Sequence, residues 1–173
     1  MTALDRISPT NAEGEWRAVI ETPQGSRNKL KYEPTDEAFA VSSSLPAGMA
    51  FPFDFGFIPR TRAEDGDPLD VLVLMDAPAY PGCIVEIRLL GVLEVDQTKD
   101  GTTVRNDRLI AIAKGATERG DLDELSDMAP ALMTQIESFF STYCELDGKT
   151  FKARDRRGPR RAETLARKAQ LPS

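Results

Sequence analysis

Three aspartates fall within six residues in Asp65-Gly66-Asp67-Pro68-Leu69-Asp70, directly before the apolar run Val71-Leu72-Val73-Leu74. Carboxylates this close repel one another unless positive charge lies between them, and hard divalent cations such as Mg²⁺ take oxygen ligands. Pro68 fixes its own φ and biases Asp67 towards an extended backbone. Asp65 and Asp67 then point to one side, and a turn or bulge at Gly66 and Pro68 would bring Asp70 round to join them. The stretch reads as a metal cradle at the entrance to a buried strand. The same residues also spell an ordinary turn, since Asp, Gly and Pro are all turn formers. A helix-loop-helix calcium loop counted from Asp65 fails, because its fifth and sixth positions hold Leu69 and Asp70 instead of Asp or Asn and then Gly.

The rest of the composition narrows the chemistry. The chain has no histidine, which excludes Ser-His-Asp and Cys-His catalysis and every His-bearing zinc site. Acid-base work must fall to carboxylates, Lys, Tyr, Cys or an activated water. Cys83 and Cys144 lie far apart, so neither a disulfide framework nor a thiolate zinc site is expected. A net charge of −6 argues against a general nucleic-acid binder. No apolar stretch approaches the ~20 residues that cross a bilayer. Met1 to Asn11 is polar and lacks the apolar core of a signal peptide, so a cytoplasmic location and no membrane partner are expected.

At 173 residues, with 40% hydrophobic and 29% charged residues, the chain fits one globular domain, 1–173. Residues 1–14 are expected to be a flexible N-terminus and 152–173 a basic tail with a short helix. From Lys152 onwards eight Lys/Arg face two acidic residues. That tail reads either as a solvated segment or as a contact for an acidic partner surface.

Period-two alternation marks the strands that must position the aspartates. Glu15 to Glu21 alternates, Pro23 to Ser26 turns, and Leu30-Lys31-Tyr32-Glu33 alternates again. A hairpin of these two would set Glu21, Lys31 and Glu33 within reach of each other. Ala38 to Val41 is a short strand. Phe51, Phe53, Phe55 and Phe57 fall at alternate positions between prolines and would line one core face. Asp70 to Met75, Cys83 to Val95 (bent at Gly91) and Leu109 to Ala113 are further strands. Asp96 to Asp107 is a loop or hairpin tip around Asp100-Gly101. After Asp121 the period changes: Leu132, Ile136, Phe139, Phe140 and Tyr143 are spaced for a helix, capped by Asp127, started by Pro130 and ended before Gly148. A last strand piece begins at Phe151, and a shorter helix spans about 160–169. Many short strands followed by helices give a mainly β, α+β fold, as a small barrel or sandwich.

Asp65-Gly66-Asp67-Pro68-Leu69-Asp70-Val71-Leu72-Val73-Leu74 resembles the signature of the soluble inorganic pyrophosphatases of the β-barrel family. Val19 to Pro23, Lys31-Tyr32-Glu33, Phe51 to Pro59, Pro81-Gly82, Gly91-Val92-Leu93 and Phe139 to Tyr143 resemble family segments in the same order, from about Glu15 to Phe151. The resemblance implies a small closed antiparallel barrel, of the OB-like pyrophosphatase type, flanked by helices. It implies Mg²⁺-dependent hydrolysis of pyrophosphate to two phosphates by an activated water, with Asp67 as general base, and a homo-oligomer. Asp65, Asp67, Asp70 and Asp96 match metal ligands. Lys31, Arg108 and Tyr143 match phosphate-binding positions, and Glu21 and Glu33 match supporting carboxylates.

The chain also departs from the family pattern at functional positions. Ser43 stands at a phosphate-binding arginine, Phe51 and Phe55 at tyrosines, Asn106 at a metal-binding aspartate, Arg108 at a lysine, and Cys144 at a phosphate-binding lysine. Arg60 or Arg62 could make up the missing charge. A divergent relative, weak on pyrophosphate and acting on another phosphoanhydride or only binding metal and phosphate, is the alternative reading.

Overall fold

The computed structural model describes residues 4–172. Nine strands and two α-helices are found among them: β1 (Trp16–Thr22), β2 (Asn28–Glu33), β3 (Ala38–Ser44), β4 (Asp54–Phe57), β5 (Asp70–Leu74), β6 (Ile84–Lys99), β7 (Thr102–Arg105), β8 (Arg108–Ala113), α1 (Pro130–Leu146), β9 (Thr150–Arg157) and α2 (Pro159–Ala169). The fold is mainly β, α+β, as expected.

Five strands close on themselves in the order β1-β4-β5-β8-β6, because β6 also pairs with β1. All but one of these contacts are antiparallel. The exception corrects the antiparallel expectation: β5 and β8 run parallel, Val71 opposite Leu109. Both strands are apolar at nearly every position because both of their faces are covered. Leu72, Leu74, Ile110 and Ile112 pack with α1, whereas Val71, Val73, Leu109 and Ala111 pack with Trp16, Ile20 and α2. Ala162 and Ala166 are the fully buried residues of α2, small enough to let the helix lie close to the strands. The register of β6 shifts between Leu89 and Gly91, as the glycine suggested, and a Cβ at Gly91 would collide with the Arg157 carbonyl.

Three local expectations are corrected. β1 and β2 form no hairpin; β2 pairs with β3 in a separate sheet. β1 reaches β2 through side chains, with the Thr22 hydroxyl bonded to the Leu30 backbone and the Glu21 carboxylate accepting from Tyr32 N–H at 2.8 Å. Asp127 does not cap α1. Its carboxylate accepts from the backbone of Asp123 and Glu124, and Ala129 stands at the helix start. The strand piece expected from Phe151 is present and longer, residues 150–157 on β6, so the basic tail expected from 152 is strand up to Arg157. Of the four alternate phenylalanines, Phe51, Phe53 and Phe55 share one core cluster, while Phe57 joins Val19 and Tyr32 in another. Leu4 and Ile7 pack on that smaller cluster. The hairpin tip falls at Asp100-Gly101, both with positive φ, as a tight turn between β6 and β7 demands.

Candidate active site

The loop between β4 and β5 carries Asp65 and Asp67 and is held at both ends. Buried Thr61 donates to Ile58 C=O at 2.6 Å and accepts from Leu69 N–H at 3.0 Å, tying the base of the loop. The chain after α2 braces its outer side, with Leu171 N–H on Arg60 C=O at 2.9 Å and Arg62 N–H on Ala169 C=O at 2.8 Å. Arg60 itself takes a positive φ of 52°, an unusual conformation for a long side chain. Within the loop, Asp67 N–H donates to Asp65 Oδ1 at 3.1 Å and Gly66 takes the left-handed φ of 91°. The turn reading of this sequence is therefore correct, and the turn is what presents the carboxylates.

Asp70 opens β5 and Arg108 opens β8. Since the two strands are parallel and one residue out from the Val71–Leu109 pair, the two side chains meet: Arg108 Nη1 lies against Asp70 Oδ2 and Asn106 Oδ1. The guanidinium is buried, lies over Phe140 with 5.6 Å to the ring centroid, and its Nε has no partner among the described residues. It lies behind Asp70, not in the open cleft.

That cleft, of about 300 Å³, is lined by Glu21, Lys31, Glu33, Arg60, Arg62, Asp67 and Asp70, with Tyr32 and Phe57 at its back. Lys31 Nζ stands 3.4 Å from Asp67 Oδ2. Burial pulls the Lys31 ammonium down, but the charge and hydrogen bond of Asp67 outweigh it and the pKa is raised. Burial pushes Glu21 up to about 7, helped by the charge of Asp70 and opposed by the Tyr32 N–H. Asp65 is raised by burial and then by the like charges of Asp70 and Asp67. Tyr143 is held well above the usual phenol range by burial and by the carboxylates of Asp147 and Asp70, so its hydroxyl stays protonated.

Asp65, Asp67 and Asp70 do not converge into a closed cage: among the described residues no three acidic, Cys or His side chains are gathered in that way. The donor chemistry is nonetheless that of a hard divalent cation. It consists of carboxylate oxygens alone, and the like charges of Asp70 and Asp67 add to burial in raising Asp65. Asp96 is corrected. It lies on the other face of β6, 2.7 Å from Arg154 and 3.7 Å from Arg105, and lines a separate groove. Gln97 is the residue that faces Asn106, accepting its Nδ2–H at 2.7 Å. Lys29, which the sequence did not single out, alternates along β2 onto the face of Lys31 and Glu33, and its ammonium lies over the Tyr143 ring, 4.9 Å from the centroid.

The family model described as inorganic pyrophosphatase matches residues 18–171. The chain belongs to the inorganic pyrophosphatase family. It is 38% identical to the inorganic pyrophosphatase of Thermus thermophilus over 134 residues, 78% of this chain and 74% of that one. It is 35% identical to that of a Nostoc species over 146 residues, 84% of each chain. In structure it is similar to the Thermus thermophilus enzyme, with a TM-score of 0.87 at 33% identity, covering 96% and 95% of the two chains. It is also similar to the enzyme of Neisseria gonorrhoeae, with a TM-score of 0.83 at 30% identity and 96% of each chain. Membership implies a divalent metal cofactor. In this member of the inorganic pyrophosphatase family, Phe51, Phe55, Phe139, Phe140 and Tyr143 form one chain of ring contacts with centroids 5.0–5.9 Å apart. Cys144 is 1% exposed beside them. The positions that departed from the family pattern on this side are thus packed as apolar core.

Proposed function

We propose that the chain hydrolyses inorganic pyrophosphate to two phosphates, with Mg²⁺ as cofactor and Asp67 as general base. The observation that carries the reading is the cleft in which Asp67, Asp70, Glu21 and Glu33 meet Lys31 at the end of a family signature. Asp65, Asp67 and Asp70 would hold Mg²⁺, which when bound offsets the charge of an anionic substrate and activates water for attack. Asp67 is an open carboxylate, its side chain 62% exposed, and its backbone is fixed by Asp65. It can take the proton of an attacking water while the loop keeps its place. Lys31 lies beside it and would bind the phosphate that is attacked or released. Arg108 orients Asp70 from behind, and Tyr143 keeps a protonated hydroxyl that can donate to a phosphate oxygen.

The reading includes a cytoplasmic chain that folds as one unit and assembles with copies of itself. What supports the first is that no helix among the described residues is long and apolar enough to cross a membrane. For the last, Tyr80 and Ile84 are apolar side chains left 78% and 49% exposed, and light scattering of the purified protein tests it. A second reading, metal and phosphate binding without turnover, is favoured by the neutral Gln97–Asn106 pair and by the engagement of Arg108 with Asp70.

Phosphate release from pyrophosphate, with Mg²⁺ and with a chelator, beside Asp67→Asn, separates the two. Fast Mg²⁺-dependent release that the variant loses is the expected result. Release by the native chain no faster than by the variant overturns it in favour of binding alone.

A further inference from the structure

Two side-chain oxygens from different parts of the chain converge on one nitrogen behind the cleft. Asp70 Oδ2, at the head of β5, and Asn106 Oδ1, in the turn between β7 and β8, both meet Arg108 Nη1. Asn106 is fixed in that direction from two sides. Its Nδ2–H donates to Gln97 Oε1 at 2.7 Å, and its backbone N–H donates to Val95 C=O at 3.0 Å. Asn106, Gln97 and Arg108 are all buried. A carboxylate oxygen and an amide oxygen held on one point are a donor pair that suits a hard divalent cation. Here a guanidinium fills that point, and fills it incompletely. Its Nε has no partner among the described residues, although a buried donor left unpaired is costly. A guanidinium placed only to join two strands has no need of that cost. Its charge also reaches Asp65, where it opposes the effect of burial. Arg108 therefore acts on the aspartates from the inner side, whereas Lys31 meets Asp67 from the open side.

We propose that Arg108 is a built-in cation that sets how many divalent ions the chain takes up. It occupies the point between Asp70 and Asn106 in place of a metal ion. It thereby confines divalent cations to the outer side, at Asp65, Asp67 and the other oxygen of Asp70. This rests on the reading of the three aspartates as cation ligands and is independent of whether pyrophosphate is turned over. Removing the guanidinium leaves Asp70 Oδ2 and Asn106 Oδ1 facing each other with no positive charge between them, and removes a like charge that repels any ion brought near.

The test is calorimetric titration of the full chain with Mg²⁺ alone, without pyrophosphate, comparing the native chain, Arg108→Met, Arg108→Lys, and Arg108→Met combined with Asn106→Leu. Arg108→Met should take up one Mg²⁺ more than the native chain. Arg108→Lys keeps the charge and should take up the native number. Adding Asn106→Leu should remove the extra site. Uptake of only the native number by Arg108→Met overturns the proposal, as does an extra site that survives Asn106→Leu. Should Arg108→Met fold only when metal is present, thermal unfolding of each chain in Mg²⁺ and in chelator gives the answer. A Mg²⁺-dependent rise in Tm larger than that of the native chain upholds the proposal, and a rise no larger overturns it. If neither the native chain nor Arg108→Met takes up Mg²⁺, the cation reading of the aspartates fails and the proposal falls with it. Native uptake with no gain in Arg108→Met overturns the proposal alone.

Discussion

Two regions of this molecule are built from the same residue types and behave oppositely. In the groove beside β6, β7 and α2, Glu94, Asp96 and Asp107 each have a guanidinium. Arg105 lies 3.1 Å from Glu94, 3.7 Å from Asp96 and 2.6 Å from Asp107; Arg161 lies 2.9 Å from Glu94, and Arg154 2.7 Å from Asp96. Asp107 also accepts the buried Val95 N–H at 2.9 Å. These charges cancel in fixed geometry and join neighbouring elements. In the cleft at the head of β5 the carboxylates outnumber the cations within reach. Among the described residues, Asp65 and Glu21 accept from backbone N–H groups alone, and both are raised by burial and then by neighbouring carboxylates. That unspent negative charge is what a divalent cation can use. Composition does not separate a structural cluster from a chemical one; the balance of partners does.

The sharpest break of the comparison is Asp67→Asn. It should lower pyrophosphate turnover by about 10³-fold, within the range for a lost general base, and leave the urea midpoint close to native. Asp96→Asn in the other groove should leave turnover within about threefold, and a loss matching that of Asp67→Asn would refute its assignment to the structural groove. Arg105→Met should do the reverse of Asp67→Asn. It strands the buried Asp107 carboxylate, which should cost about 3 kcal/mol in urea unfolding with kcat little changed.

Glu21 gives a pH signature of similar size. Its carboxyl titrates at about 7 in the fold against an ordinary 4.5, so between those values the native state keeps a proton that the unfolded chain has released. Stability should therefore fall as pH rises from about 4.5 to 7, by up to about 3 kcal/mol. Urea unfolding in chelator measures this, and Glu21→Gln should flatten the slope. A slope unchanged in that variant would mean that Glu21 is not the group responsible. The smallest effect is that of the metal on the fold. Mg²⁺ at 100 times its dissociation constant should stabilise the native chain by about 2.7 kcal/mol, and Asp67→Asn or Asp70→Asn should reduce that gain without abolishing folding.

Local patterns were legible in the residues themselves. The signature around Asp67, the helix period from Pro130 to Tyr143, the bend at Gly91 and the turn at Asp100-Gly101 each depend on neighbours a few positions away, where sterics and side-chain period act directly. Parity errors were not visible. One residue decides whether Asp96 or Gln97 faces Asn106, and the side-chain period of two sends adjacent residues to opposite faces. A loop of uncertain length hides that parity until pairing with β7 and β9 sets it.

The sequence by itself determined the oxygen-only chemistry, the absence of histidine mechanisms, the strands with their apolar faces and the carboxylates at the start of β5. Tertiary structure alone decided which charges meet. Arg108 reaches Asp70 because β5 and β8 run parallel, Glu21 is bound by β2 because no hairpin joins β1 to it, and Lys29 faces Tyr143 because β2 and β3 bring it beside α1. These contacts join residues far apart along the chain, so they follow from how strands and helices pack and not from any run of neighbouring letters.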